Sequence, residues 1–193
     1  MDRIAEHDVV LSDGQLRLRP MTEGDWDILL KWNNDPEVLY FAEGDDVKSR
    51  TLADTQGIYR GVSRGAFVFI AELDGRPIGE CWLQRMNIDR ISQRHPGKDL
   101  RRIDLTIGRK ELWGEGWGTK MIRMLTELGF EREGADAIFG LFVADYNPRS
   151  RRAFEKSGYV VEKVIELPPG RKARREYDMM ITRESWTGGR KER

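Results

Sequence analysis

The residues Trp113-Gly114-Glu115-Gly116-Trp117-Gly118-Thr119 stand where a strand-forming run gives way to a helix-forming one, and their glycines are the first feature with chemistry in it. Glycine lets a backbone turn sharply and lets its N–H groups approach an anion, while the helix that follows presents unpaired amides and the positive end of its dipole. A pyrophosphate fits such a place. A Walker loop requires Gly-Lys followed by Ser or Thr, and Gly118-Thr119-Lys120 reverses that order; a Rossmann loop follows the first strand of its fold, and this one follows several. Taken alone, the segment also fits a glycine turn that holds nothing.

A second signature lies at Asn147-Pro148-Arg149-Ser150-Arg151-Arg152-Ala153-Phe154-Glu155-Lys156-Ser157-Gly158-Tyr159. Asn is a favoured helix cap, Pro a favoured first helical residue and Gly a favoured terminator, so a capped helix accounts for much of it. Capping does not explain why this basic helix follows the glycine loop by about one helix and one strand.

The elements that position these segments follow from hydrophobic period and turn chemistry. Leu16 and Leu18 alternate with Arg17 and Arg19 up to Pro20 as a first strand, and Thr22 caps a helix to about Asn34 with Trp26, Leu29, Leu30 and Trp32 inward. Asp35-Pro36 breaks it. A short helical piece, an acidic loop at Glu43 to Asp46 and a helix from about Thr51 to Arg64 come next. Ala66 to Leu73 and Pro77 to Asn87 read as an antiparallel hairpin across Asp74-Gly75. Ile88 to Leu100 is polar and reads as a loop or strand extension. Arg102 to Ile107 is a strand, Gly116 to Phe130 a helix with Trp117, Met121, Met124, Leu125 and Leu128 on one stripe, Ala137 to Val143 a strand and Pro148 to Ser157 a helix. Tyr159 to Leu167 and Arg174 to Thr182 close the fold as a hairpin, and the tail beyond Trp186 is expected to fray. The sum is a mixed α/β sheet.

Composition narrows the class. The 193 residues fit one domain, and 39% hydrophobic with 34% charged residues reads as a packed globular protein. A net charge of zero gives no global drive onto nucleic acid or a membrane surface. No apolar run approaches a membrane span, and the charged start lacks a signal peptide, so a cytoplasmic protein is expected. Lone Cys81 and two separated histidines, His7 and His95, offer no metal arrangement.

From Leu16 to about Trp186 the chain resembles the GNAT superfamily. That family's pyrophosphate loop reads Arg/Gln-x-x-Gly-x-Gly/Ala, here Trp113-x-x-Gly116-x-Gly118, and its later helix reads Asn…Tyr-Glu-Lys-x-Gly-Phe, here Asn147…Phe154-Glu155-Lys156-Ser157-Gly158-Tyr159. Within it the chain is similar to aminoglycoside 6'-N-acetyltransferases at Leu18-Arg19-Pro20-Met21-Thr22-Glu23, Thr51-Leu52-Ala53-Asp54-Thr55-Gln56, Gly75-Arg76-Pro77-Ile78-Gly79 and Gly116-Trp117-Gly118-Thr119-Lys120. The ribosomal-protein N-terminal acetyltransferases are a second match, through Trp113-Gly114 and the strand before it.

The resemblance implies a GNAT fold with a mostly antiparallel sheet flanked by helices, and an acetyltransferase that moves acetyl from acetyl-coenzyme A to a primary amine without a metal. Its acceptor is expected to be a small-molecule amine such as an aminoglycoside, or a peptide N-terminus, taken by a monomer or a homodimer. A third reading is a domain that binds acyl-coenzyme A without turnover. The resemblance places the main chain of Leu105, Thr106 and Ile107 along the pantetheine arm. It places Trp113, Gly114, Glu115, Gly116, Trp117, Gly118 and Thr119 at the pyrophosphate, and Asn147, Arg149, Arg152, Phe154 and Lys156 on the rest of the cofactor.

An ammonium with a pKa near about 10 must lose a proton before it attacks. Asp104, in a pattern similar to the family's Gly-Ile-Asp, is the candidate to anchor it and help deprotonation; Glu80 is a second candidate, and pairing of Asp104 with Arg101 or Arg102 is the plain alternative. Trp32, Tyr40, Asp45, Asp46 and Asp104 are candidates to meet the acceptor. Two positions depart from the family pattern. Phe154 stands where relatives place a proton-donating tyrosine, leaving Tyr146, Ser150 or Tyr159 as substitutes, and Glu115 stands where a basic residue is usual.

Overall fold

The computed structural model describes residues 3–43 and 47–191. Its strands are β1 (Leu11–Asp13), β2 (Leu16–Pro20), β3 (Ala66–Leu73), β4 (Arg76–Arg85), β5 (Leu100–Ile107), β6 (Ala137–Ala144), β7 (Val160–Glu166) and β8 (Arg175–Thr182). They form one sheet in the order β1-β2-β3-β4-β5-β6-β8-β7, parallel at β5/β6 and antiparallel at β1/β2, β2/β3, β6/β8 and β7/β8. The helices are α1 (Trp26–Trp32), α2 (Pro36–Ala42), α3 (Leu52–Ser63), α4 (Asp89–Arg94), α5 (Trp117–Glu127), α6 (Pro148–Lys156) and α7 (Arg183–Lys191). The expected mixed, mostly antiparallel sheet with flanking helices is what forms. Among the described residues no helix is long and apolar enough to cross a membrane.

The chain divides into two compact units, Met1–Trp82 with Leu105–Trp117 and Leu83–Asp104 with Gly118–Arg193. In the first, alternation buries Leu16 and Leu18 completely while Arg17 stays exposed. Thr22 caps as expected, but a 3-10 turn, Glu23–Asp25, precedes α1, and Asp25 returns the bond to the Thr22 amide at 2.7 Å. Met21, Leu29, Trp32, Tyr59, Val68 and Ile70 form the core. The β3–β4 hairpin turns on Asp74 and Gly75, whose φ values of 49° and 73° are the left-handed pair that a two-residue turn needs.

Glu23 ties three segments of this unit together. Its carboxylate accepts from the Ile4 amide at 2.8 Å, Trp26 Nε1 at 3.1 Å and Arg60 Nη2 at 2.5 Å. The Arg60 hydrogen bond is the main cause that holds its pKa down at about 2, against an ordinary 4.5. A carboxylate whose pKa is depressed by folding stabilises the native state fully above the unfolded value, and the contribution is lost as pH falls through the folded one. Glu23→Gln is therefore expected to lower the melting temperature most above pH 4.5, with the gap to wild type closing as pH falls toward 2. Thermal melts across that window check it; a gap that stays constant with pH contradicts it.

In the second unit α5 buries Met121, Ile122 and Leu125, and a π-helical turn, Leu128–Arg132, continues it and buries Leu128. Ile91, Leu100, Ala137 and Phe139 form a core cluster.

Four expectations are corrected. β1 was not anticipated, although Asp13-Gly14, with Gly14 at φ 62°, turns it into β2. Segment 88–100 is not a loop throughout: it holds α4, a polar helix with Ile91 fully buried, whose Arg90 and Arg94 reach Asp178 and whose Arg94 also reaches Glu162. β5 begins at Leu100, two residues before the expected Arg102. The tail beyond Trp186 does not fray at that point, because α7 runs through Lys191 and the Trp186 ring packs on Phe130 at 5.1 Å.

Candidate active site

In the first unit, β5 leads through a 3-10 turn, Lys110–Leu112, into the glycine loop. Gly114 and Gly116 take φ values of 86° and 93°, and a Cβ on either would meet nothing within 4 Å. Glycine is needed there for its backbone angle, and the space beside the loop is open. Trp113 Nε1 donates to Ile107 O at 2.7 Å, closing the loop on the end of its own strand, and the Trp113 ring meets the Phe41 edge at 5.5 Å. Lys110 Nζ holds Asp35, the cap of α2, at 3.0 Å and Glu37 on its first turn at 2.8 Å, and the Lys110 hydrogen bond is the largest cause lowering the Asp35 pKa. Glu115 is exposed and accepts from Trp117 Nε1 at 3.1 Å.

Leu105, Thr106 and Ile107 are half-buried, and β4 approaches them closely. A Cβ at Gly79 would run into Thr106 O and lie 2.9 Å from Ile107 Cα, so only glycine fits. Ile78 O accepts from the amides of Gly108 at 2.9 Å and Arg109 at 3.2 Å, which fixes the end of β5. Trp32, expected to meet the acceptor, is 3% exposed and fills the space beside Gly108, where a Cβ would strike its ring. It supports the strand end from within the core. Tyr40 is exposed, with its ring edge-on to Phe41 at 4.9 Å. Asp45 and Asp46 lie outside the described residues.

Glu80 is 4% exposed on β4. Burial pushes the Tyr59 hydroxyl and the Cys81 thiol well above their ordinary pKa values, and the Glu80 charge adds to both shifts.

In the second unit, Asn147 Oδ1 accepts from the Ser150 amide at 3.2 Å and caps α6, with Pro148 at its first position and Gly158, at φ 91°, ending it. Arg149, Arg152 and Lys156 are exposed on this helix. Arg123 Nη2 donates to Lys156 O at 2.6 Å, and Ser157 Oγ to Thr119 O at 3.4 Å, joining α5 to the end of α6. Phe154 is buried against Gly140, where a Cβ would collide with the ring. Tyr159, one of the substitutes for the missing proton donor, is buried, shares a hydrogen bond with Thr126 Oγ1 at 2.8 Å, and has its pKa raised by burial. That placement removes it from the substitutes.

The parallel register of β5 with β6 ends at Ile103↔Gly140, and Asp104 is the next residue. Its side chain is 43% exposed and accepts from Arg102 Nη2 at 2.6 Å. β6 bulges between Gly140 and Val143, with Phe142 at φ 57°. The ion-pair alternative considered for Asp104 is thus present, and its exposure leaves the carboxylate within reach of an incoming amine. Lys110 was missed by sequence reasoning because its partners stand 73 and 75 residues earlier. Phe142 carried no local signal beyond being an apolar residue in a strand. Among the described residues no group of three His, Cys, Asp or Glu is placed to hold a metal ion.

The chain belongs to the GNAT acetyltransferase family: residues 15–160 match its acetyltransferase (GNAT) domain. It is an acetyltransferase with acetyl-coenzyme A as the donor. It is 29% identical over 167 residues, 84% of its own length and 82% of the relative's, to the aminoglycoside N(6')-acetyltransferase type 1 of Klebsiella pneumoniae, and equally to that of Serratia marcescens. The crystal structure of the aminoglycoside acetyltransferase AAC(6')-Ib with coenzyme A and kanamycin superposes with a TM-score of 0.70 at 26% identity, covering 91% of this chain and 99% of that one. Its complex with ribostamycin and coenzyme A gives a TM-score of 0.71 at 26% identity, over 90% and 96% of the two chains.

Proposed function

We propose that this protein acetylates a primary amine of an aminoglycoside by direct attack on the thioester of acetyl-coenzyme A. The observation that carries the acceptor class is the similarity over 84% of the chain to enzymes named aminoglycoside N(6')-acetyltransferases, whose structural counterparts hold coenzyme A with kanamycin or ribostamycin.

The residues present fit the donor. Gly114 and Gly116 turn the backbone through left-handed angles beside open space, immediately before the first turn of α5, where unpaired amides and the helix dipole favour a diphosphate. The main chain of Leu105–Ile107 takes the pantetheine arm in the manner of an added strand. Arg149, Arg152 and Lys156 supply exposed cations for the nucleotide phosphates. Glu115 is turned onto the Trp117 indole, which engages its carboxylate. When bound, acetyl-coenzyme A supplies an acetyl thioester.

Asp104 accepts the acceptor's ammonium, orients it, and takes up the proton directly or through water as the nitrogen attacks. Phe154 donates no proton. A thiol with an ordinary pKa of about 8.5 leaves as a tolerable thiolate near neutrality, so turnover does not require a tyrosine there. Glu80 is 4% exposed, so the base role goes to Asp104, whose carboxylate is open to an incoming amine. We infer a cytoplasmic setting, where the thiol of the free Cys81 stays reduced.

A thiol-release assay with a panel of amines tests the proposal. Release with kanamycin or ribostamycin is expected. Release only with a peptide amino terminus moves the acceptor to protein N-termini, and tight binding of acetyl-coenzyme A with no release for any amine converts the protein into a sensor.

A further inference from the structure

Arg102 and Asp104 stand two residues apart on β5, so their side chains leave the same face of the strand. Arg102 Nη2 donates to Asp104 Oδ2 at 2.6 Å, Nη1 reaches Asn87 Oδ1 at 3.4 Å, and the guanidinium carbon lies 5.9 Å from the Phe142 ring centroid. Two features make this pose exchangeable. The carboxylate is 43% exposed although the Arg102 side chain is only 13% exposed, so an incoming cation reaches the acid from solvent without first crossing the arginine. Arg102 Nε is also buried with no hydrogen-bond partner among the described residues, and a buried donor regains its bond by moving out to water.

The contrast with Arg90 is instructive. Arg90 lies over the same Phe142 ring at 5.2 Å, but its carboxylate partner, Asp178, is fully buried and shared with Arg94. Arg90 is paired with a carboxylate that solvent does not reach, and Arg102 with one that it does. Phe142 itself is 43% exposed and held at φ 57°, an outlying backbone angle for a bulky residue of the kind that clusters at functional sites.

We propose that Arg102 is a resident cation on Asp104 that the acceptor has to displace, so that it lowers the affinity of the site for any amine until further contacts of the ligand drive the exchange. The inference rests on the reading of Asp104 as the ammonium anchor. A monoamine arriving at Asp104 replaces one cation by another and gains little. An aminoglycoside carries further ammonium groups whose contacts elsewhere drive the exchange, so the same penalty leaves it bound at concentrations where a small monoamine is not.

Calorimetric titration of kanamycin and of glucosamine into the coenzyme A complex tests this in wild type, Arg102→Gln and Arg102→Lys. Arg102→Gln is expected to bind both about five-fold tighter, the equivalent of roughly 1 kcal/mol. Arg102→Lys is expected to stay near wild type, because the competing charge remains. Equal or weaker kanamycin binding by Arg102→Gln overturns the inference, as does a failure of wild type and Arg102→Gln alike to take up kanamycin. Should the glutamine variant melt too low to titrate, Arg102→Met, which keeps the apolar stem against Phe142, reads the same competition. Kanamycin bound more tightly by the variant yet never acetylated sinks the acetylation proposal and keeps this one. Acetylation with an affinity indifferent to residue 102 does the reverse.

Discussion

Replacing Asp104 by Asn lowers kcat for an aminoglycoside by about 10²- to 10⁴-fold, the usual range for loss of a positioned proton acceptor, while affinity for coenzyme A is nearly kept. The side chain is close to isosteric and the position is 43% exposed, so the fold does not depend on it. What disappears, on the proposed mechanism, is the charge that holds an ammonium beside the thioester and draws off its proton. An amine with a pKa near about 10 is almost wholly protonated at neutrality. Turnover of the variant therefore climbs with pH more steeply than that of wild type, as solvent takes over the deprotonation. Steady-state kinetics with calorimetric coenzyme A affinities measure both quantities. Unchanged turnover removes Asp104 as base or anchor, and a matching loss of coenzyme A affinity reassigns it to donor binding.

Asp178→Ala is the corresponding prediction for stability. Asp178 on β8 is fully buried and pairs with Arg90 and Arg94 of α4, and its hydrogen bond is the largest cause raising the Arg90 pKa. Removing the carboxylate leaves two like-charged guanidiniums side by side, with Glu162 still on Arg94 and Glu176 acting on Arg90 only at longer range. Breaking a buried pair costs about 3–5 kcal/mol, and because both arginines reach solvent the lower end applies. For a chain of this length about 3 kcal/mol corresponds to a fall of roughly 6–12 °C in melting temperature. Denaturant and thermal midpoints of the purified variant check it. A loss under about 1 kcal/mol would show that α4 is held by Ile91 and its apolar neighbours alone.

How far the sequence could be read depended on the range of the interactions involved. β3 runs over Ala66–Leu73 as its β-forming residues imply, because strand composition and the Asp74-Gly75 turn act within a few residues. The Asn147 cap, Pro148 and Gly158 bounded α6 for the same reason. α4 was opaque. Its stretch holds little apolar surface, and the carboxylates that make it a helix of this fold stand up to 88 residues away. Burial was opaque too: Trp32 has the chemistry of a ligand-stacking ring, and it was the approach of Gly108 that assigned it to the core.

The candidate site shows the same division. The glycine loop and the Asn147 helix were visible as motifs, and the family match over residues 15–160 agrees with them. The props that hold the loop, Lys110 on α2 and Trp113 on Ile107 O, were not, since neither spacing nor residue type announces a partner brought by folding. Asp104 and its pairing with a neighbouring arginine were both legible, because they lie within three residues of one strand; that the partner is Arg102 and not Arg101 is a fact of geometry.

The most direct test is the product itself. Incubating the purified protein with acetyl-coenzyme A and kanamycin and analysing the sugar by mass spectrometry and NMR is expected to reveal a single acetyl group on the 6'-amine, absent when Asp104→Asn replaces the wild type for the same interval. Kanamycin recovered unmodified from a protein that demonstrably binds coenzyme A would contradict the account.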